Sequence, residues 1–401
     1  MLGINRPQAA YGLFIIGLAA FTVGLLTLFP LQNIGLMLMA LAGLLEPPPL
    51  HVFRKSWLWL PVLYYAWAVI TAIPPMDAEL LKVKAALYVL FLAWPFVVML
   101  NKERLLRILP LYLKGFALWV LLYAVAAAGL FFTDSESALA AMKQSKPFPL
   151  PFHTHHIYYG AMVAAAVLIF IWLGLQTRKK RWWGAALMLA VLFHVTVSRT
   201  GLAALYAALA VAAMAIAVLH RRMGWALGGV AVLALFIVGA YRASPPFQVK
   251  VDDFFHEIQL LREGANPNDR SLLIRWESWK AGWHVIHTTF PWGAGLDRLP
   301  AAVQQAYEGR TWLVPEQRLP PHAQWLYTTA ALGMPGLILL LLITFRPLWV
   351  GWHRRRWLPM AWSVLMAVVF ISEPFLERQT GIAFFFFFWT LWNIYLDDLT
   401  G

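Results

Sequence analysis

Cysteine is absent from the 401 residues. That excludes disulfides, thiol nucleophiles and thiolate metal sites, and it suits an oxidising compartment. Charge is sparse: 13% of residues are Asp, Glu, Lys or Arg, against 61% hydrophobic. A soluble domain sits nearer half apolar, so the chain reads as an integral membrane protein. No Gly/Ser- or Pro-rich linker divides it, and no internal repeat is visible. One polytopic transmembrane domain over residues 1–401 is expected. The only low-complexity tract is Phe384 to Phe388, apolar mass facing lipid or core. The first apolar stretch lacks a small-residue cleavage pattern, so a retained anchor is expected there. No acidic pair suggests glycoside hydrolysis, and no Ser-His-Asp arrangement is apparent.

Tryptophan is plentiful, at 21 residues. Trp57, Trp59, Trp182, Trp183, Trp352 and Trp357 flank apolar stretches as interfacial anchors do. The net charge of +13 raises nucleic acid as a partner, but its distribution argues against that. Residues 242–321, the one long connection, hold nine basic and nine acidic residues. The basic excess lies in short loops: Arg54-Lys55, residues 102–107, residues 178–181, Arg221-Arg222 and residues 346–356. These fall between alternate apolar stretches, the positive-inside pattern, which places them in the cytoplasm.

A helical span needs ~20 mainly apolar residues. Twelve windows qualify: 9–29, 32–50, 57–74, 79–100, 105–132, 157–176, 182–198, 200–220, 223–241, 322–345, 357–372 and 380–396. The fold class is therefore all-α and polytopic, with both ends inside. Arg199-Thr200-Gly201 supplies the turn between windows seven and eight. Residues 242–321 form an outward loop subdomain between windows nine and ten. Within it Val251, Phe254, Phe255, Ile258 and Leu261 recur at helical spacing, as do Leu272, Leu273, Trp276, Trp279, Trp283 and Ile286. The second helix is expected to start after a cap at Asn268-Asp269 and stop before Pro291.

His322 follows two prolines and opens the tenth window. Imidazole titrates near neutrality, so it can take a proton from a hydroxyl. Arg199 lies between apolar stretches, where a guanidinium costs roughly 2.5–3.5 kcal/mol on insertion scales. A bound phosphate would offset that cost, and so would a carboxylate such as Glu373. Arg270 and Arg275 begin the second loop helix; Arg275, Lys280, His284 and His287 are its polar positions, opposite a tryptophan-rich side. Lys82 and Lys84 open the fourth window, where lysines commonly snorkel. Arg298 and Arg378 are further outward cations. His153, His155 and His156 could give two or three zinc ligands, but no carboxylate lies close in sequence, and polar contact with a substrate or simple interfacial placement fits better. Pro291-Trp292-Gly293-Ala294-Gly295 lacks the Lys-Ser/Thr and strand context of a phosphate loop, so a tight re-entrant turn is expected.

Three ordered motifs resemble the O-antigen ligase and polymerase family. They are Ser198-Arg199-Thr200-Gly201; Arg275-Trp276-Glu277-Ser278-Trp279-Lys280-Ala281 with Pro291-Trp292-Gly293-Ala294-Gly295; and His322-Ala323-Gln324-Trp325-Leu326 with Gly333-Met334-Pro335-Gly336-Leu337. The chain departs from the family at Ala323, where Asn is common, and at Ala331, where an acidic residue is common. The resemblance implies an inverting, metal-independent glycosyltransferase of the membrane glycosyltransferase-C type, without a cofactor. Its site would face the periplasm from the bacterial inner membrane. The donor would be a glycan on undecaprenyl diphosphate and the acceptor a sugar hydroxyl of lipid A–core, both reached among membrane lipids. In that reaction His322 is the general base, and Arg199 and Arg275 hold the diphosphate, assisted by Arg270, Lys82 and Lys84. Related alternatives are an O-antigen polymerase or a protein O-oligosaccharyltransferase; compact size leans toward the ligase. A lipid-linked glycan transporter is the alternative of another class, disfavoured by the lack of repeats and of polar residues at mid-depth.

Overall fold

The computed structural model describes residues 6–74, 76–143, 148–219, 221, 223–308 and 312–398, so Arg222 of the basic-loop pattern lies outside the described residues. Among these the regular elements are all helices. In chain order they are α1 (Arg6–Gly24), α2 (Phe29–Leu45), α3 (Trp59–Ile70), α4 (Ala78–Tyr88), α5 (Leu90–Leu100), α6 (Lys102–Thr133), α7 (Ser135–Lys143), α8 (His156–Thr177) and α9 (Lys180–Thr196). There follow α10 (Arg199–Leu219), α11 (Met223–Ala243), α12 (Pro245–Arg262), α13 (Ser271–Thr289), α14 (Leu299–Ala306), α15 (Gln324–His353), α16 (Trp357–Ser372) and α17 (Gln379–Asp398).

Every hydropathy window contains a helix, but helix and span are not the same claim. Among the described residues, six helical stretches are long and apolar enough to cross a membrane: α1, α4 with α5, α6, α8, α10 and α15. The apolar helices α2, α3 and α16 are shorter. Helices α11 and α12 meet at a 101° bend. The pair passes the same length and apolarity test together, which gives seven crossings if the bent pair is one span; α12 itself carries Lys250, Asp252, Asp253 and Glu257.

Helix α8 is the axis of the bundle. It is buried over most of its length and packs against α6, α9, α10 and α16. The five phenylalanines 384–388 of α17 are all fully buried, so this tract is core rather than lipid-facing surface. Helices α1 and α2 form a tight hairpin because Gly17 and Gly35 face each other; a Cβ on Gly35 would sit 2.6 Å from the Gly17 carbonyl oxygen.

The bundle has two chemically distinct ends. At one lie the starts of α8, α10 and α15 and the ends of α9 and α16, and there His322 and Arg199 are found. At the other, the end of α8 meets the α15–α16 turn in one cleft with Arg178, Arg355 and Arg356. The 22 residues of α8 separate the two ends by roughly 33 Å at 1.5 Å per residue.

Two local expectations are corrected. The turn between α9 and α10 lies at Val197-Ser198, where Val197 leaves helical geometry (φ 11°, ψ 107°); Arg199, Thr200 and Gly201 form the first turn of α10. Helix α13 does not take its cap from Asn268-Asp269. Its cap residue is Arg270, without a side-chain capping bond, and Asp269 sits in the left-handed region (φ 62°).

Candidate active site

Helix α13 holds the segment that carries His322, and it does so with its small residues. Trp276 and Trp283 are 42% and 56% exposed, whereas Ser278, Ala281 and Gly282 are buried. The tryptophan-rich side therefore faces outward, opposite to what an amphipathic reading suggests. The reason is close approach: a Cβ on Gly282 would lie 2.8 Å from Pro321 Cγ, so only a small residue admits the Pro320-Pro321 turn. The His322 backbone is then bonded at both polar atoms. Its N–H donates to Ser278 Oγ at 3.1 Å, and its carbonyl accepts from Trp279 Nε1 at 3.1 Å. Ser278 Oγ in turn donates to the Arg275 carbonyl at 2.7 Å. Arg275 is thus one helical turn from the group that fixes His322.

The turn between α16 and α17 supplies the partner for the imidazole. Gln324 pins this turn to the start of α15: its N–H donates to the Glu373 carbonyl at 3.1 Å, and its Oε1 accepts from Leu376 N at 2.7 Å. The Glu373 side chain is buried, and its Oε2 lies 2.9 Å from His322 Nε2. The other ring nitrogen, Nδ1, is buried without a hydrogen-bond partner among the described residues. Burial pushes the Glu373 carboxyl up. Contact with His322, and the charges of His322, His155 and Arg275, outweigh burial and bring it below the usual carboxylate range. Glu373 is therefore ionised at neutral pH. A carboxylate this close to the ring favours its protonated form.

Arg199 opens α10 and reaches α12. Its Nη1 lies 3.0 Å from Glu257 Oε2 and 3.6 Å from Asp253 Oδ2. The carboxylate that offsets this cation is therefore not Glu373. Glu257 is fully buried, and its Oε1 accepts from Leu272 N at 3.3 Å. One carboxylate thus ties α10 to the start of α13. Arg199 and Arg275, with His156, Val197, Thr200, Lys250 and Ser271, line a cleft of about 100 Å³. Burial depresses the Arg275 guanidinium, with the Arg199 charge adding to it against the pull of Glu373 and Glu257. The neighbouring Lys250 is pushed down to about 8, by burial first and then by the Arg199 charge. Two guanidiniums and a lysine line one small cleft, groups whose chemistry suits an anion.

The other sequence-derived candidates fall elsewhere. Lys82 is exposed and bonded to Glu79 at 2.7 Å. Lys84, two positions on, points to another side of α4 and pairs with Glu377 at 2.9 Å and with Tyr327 OH at 3.0 Å. Arg270 is half-buried at the start of α13, and its described hydrogen bonds are made by its backbone alone. None of the three lines the cleft. Arg298 donates to the Pro74 carbonyl, and Arg378 is exposed at the end of the α16–α17 turn. The rings of His155 and His156 stack with centroids 4.8 Å apart. Burial depresses His155, with Glu373 opposing and Arg378, His322 and Arg275 adding to the fall. Among the described residues, no three His, Asp or Glu side chains could together hold a metal ion.

Pro291 to Gly295 and Gly333 are each other's partners. Helix α15 is broken at Gly333 (φ 65°, ψ −165°). The freed backbone groups are taken up by the loop: Ala294 N donates to Ala330 O, Gly295 N to Ala331 O and Met334 N to Pro291 O, each at 2.8 Å. A Cβ on Gly333 would lie 2.1 Å from the Pro291 carbonyl oxygen, and one on Gly293 would lie 2.4 Å from Gly333 N. This segment is a backbone clamp, not a phosphate cradle.

Sequence reasoning did not select Glu373 or Lys250 as site residues. Glu373 is named there only as a possible partner for Arg199, because nothing local ties it to His322. The remaining signal is that an acid stands between an apolar helix and Pro374. Lys250 is a lone cation between Val249 and Val251, which hints at burial.

Residues 193–341 match the family described as O-antigen ligase. The match spans Arg199, Arg275, His322 and Gly333, and it supports a glycosyltransferase-like enzyme of the ligase or polymerase type. No curated protein matches the chain.

Proposed function

We propose, from the O-antigen ligase character of residues 193–341, that the protein is an O-antigen ligase of the bacterial inner membrane. It transfers a glycan from undecaprenyl diphosphate to a sugar hydroxyl of lipid A–core, with its site at the periplasmic face. The supporting observation is the His322–Glu373 pair, 2.9 Å apart and fixed by the helix that also carries Arg275 into the cationic cleft.

The step balances with these groups alone. The ionised Glu373 beside His322 stabilises the imidazolium that forms as the ring accepts the proton of the acceptor hydroxyl. The acceptor oxygen attacks the anomeric carbon from the face opposite the diphosphate. The bond from that carbon to the diphosphate oxygen breaks, its electron pair leaves with the lipid diphosphate, and the configuration inverts. Arg275 and Arg199 stabilise the charge gathering on the departing oxygens. Neither nitrogen of the ring requires a metal ion for this transfer. The basic loops at the far end of α8 support an outward-facing His322 end under the positive-inside rule.

The test is transfer in vitro with purified protein, lipid-linked donor and lipid A–core, in the presence of chelator. Wild-type protein yields the joined product, and His322→Ala loses roughly 10²–10⁴-fold in rate, the range of general-base catalysis. Wild-type transfer by His322→Ala removes the histidine from its role. Gene deletion separates ligase from polymerase: loss of the ligase leaves lipid A–core bare while full-length lipid-linked chains accumulate.

A further inference from the structure

At the end of the bundle remote from His322, a cleft of about 940 Å³ opens between the end of α8 and the α15–α16 turn. Three guanidiniums line it, from Arg178, Arg355 and Arg356, and no lining residue is acidic. Their only charged or ring contact among the described residues is that of Arg356, 5.8 Å above the Tyr395 ring. The backbone beneath the three is fixed. Arg178 N donates to Gly174 O at 2.9 Å, Arg355 N to Trp352 O at 3.2 Å and Arg356 N to Gly351 O at 2.8 Å.

Two of the three occupy positions that backbone physics assigns to another residue. Arg178 and Arg355 lie in the left-handed region, with φ of 55° and 56°. Arg178 caps α8, and Arg355 follows the last helical turn of α15. Glycine takes such helix-ending positions without strain, and asparagine less often. Arginine at both trades backbone ease for a side chain that, among the described residues, no acid neutralises. The same wall carries aromatic rings: Trp183 is 45% exposed, its indole nitrogen packed where a Gly174 Cβ would lie 2.8 Å away, and Trp357 begins α16.

We propose that this cleft binds the phosphate of an anionic phospholipid headgroup. Planar guanidiniums bind phosphate oxygens in pairs. Basic pockets between membrane helices on the cytoplasmic side take such headgroups, with aromatic side chains at the headgroup level. Gln176 and Tyr395, also in the lining, add polar groups for the glycerol moiety. The site is independent of the transfer chemistry, which lies at the other end of α8.

The experiment compares wild type with the Arg178→Gln/Arg355→Gln/Arg356→Gln variant and with Arg355→Gln alone, all purified in mild detergent. Native mass spectrometry reads phospholipid retained. Thermal unfolding is then followed with added phosphatidylglycerol, phosphatidylcholine or inorganic phosphate. Wild type is expected to retain anionic lipid and to be stabilised by phosphatidylglycerol above phosphatidylcholine. The triple variant loses that shift, and the single variant weakens binding roughly fivefold, the effect of one basic residue at a membrane surface. Equal retention by wild type and either variant overturns the site. A shift reproduced by inorganic phosphate alone overturns the lipid assignment in favour of a soluble phosphate.

Discussion

His322 Nε2 and Glu373 Oε2 lie 2.9 Å apart, joined across the start of α15 and the end of α16. An ionised glutamate beside the ring stabilises the imidazolium that would form on proton uptake. Glu373→Gln keeps the shape and removes the charge. Its transfer rate should fall by about 10²-fold or more, with donor affinity near that of wild type. Single-turnover assays with lipid-linked glycan separate the two quantities. An unchanged rate assigns Glu373 to structure alone.

Arg199 pairs with the buried Glu257, and the proposed function also gives it the donor diphosphate to hold. Arg199→Ala leaves the buried Glu257 without its ion partner, which costs about 1–3 kcal/mol. The double variant Arg199→Ala/Glu257→Gln removes the orphaned charge. It should regain most of the thermal stability while remaining poor in donor binding. Thermal unfolding paired with a lipid-diphosphate binding assay resolves the two effects. Recovery of binding by the double variant would show that Arg199 acts only by tying α10 to α12.

The clamp at Gly333 gives a stability prediction with an internal control. Gly333→Ala places a methyl 2.1 Å from the Pro291 carbonyl oxygen, at a positive φ. Strain of this kind costs about 1–3 kcal/mol before the clash is counted. Gly129→Ala on α6, where nothing lies within 4 Å, should instead be neutral or stabilising by about 0.5–1 kcal/mol. Chemical unfolding of both variants in detergent measures the contrast.

Lys250 predicts a pH dependence. Its folded value, about 8, lies below the ordinary lysine value of 10.5. Burying the charged form is therefore unfavourable wherever lysine is charged in both states, below about pH 8. The penalty is relieved as pH rises from about 8 to 10.5, so wild type should gain stability over that window relative to Lys250→Met. Unfolding midpoints of the two proteins across the range provide the check. Parallel curves would show that Lys250 is not depressed.

Much of this organisation is legible in the sequence, because hydropathy is local. Each apolar window contains a helix, and the periodicity of Val251 to Leu261 and of Leu272 to Ile286 marks α12 and α13. The charged stretch Lys250 to Glu257 also marks the helix that follows the 101° bend. What is hidden depends on distant partners. The tryptophans of α13 look like its buried face until Pro321 is seen to need the space beside Gly282. Arg199 has an acidic partner, but Glu257 and Glu373 are equivalent in sequence until α12 brings Glu257 to the start of α10. Lys82 and Lys84 look alike as helix-end lysines, yet a shift of two residues sends one to solvent and the other to Glu377.

The Pro291–Gly295 clamp has a consequence for exchange between related proteins. Its two halves come from separate stretches of chain, and each fits only the bare backbone of the other. A loop transplanted from a homologue will seat only if residues around 330–334 travel with it. Chimeras cut between the two stretches should misfold, whereas those cut before α12 and after Pro335 should assemble. The natural unit of inheritance here is the loop together with the first turns of α15.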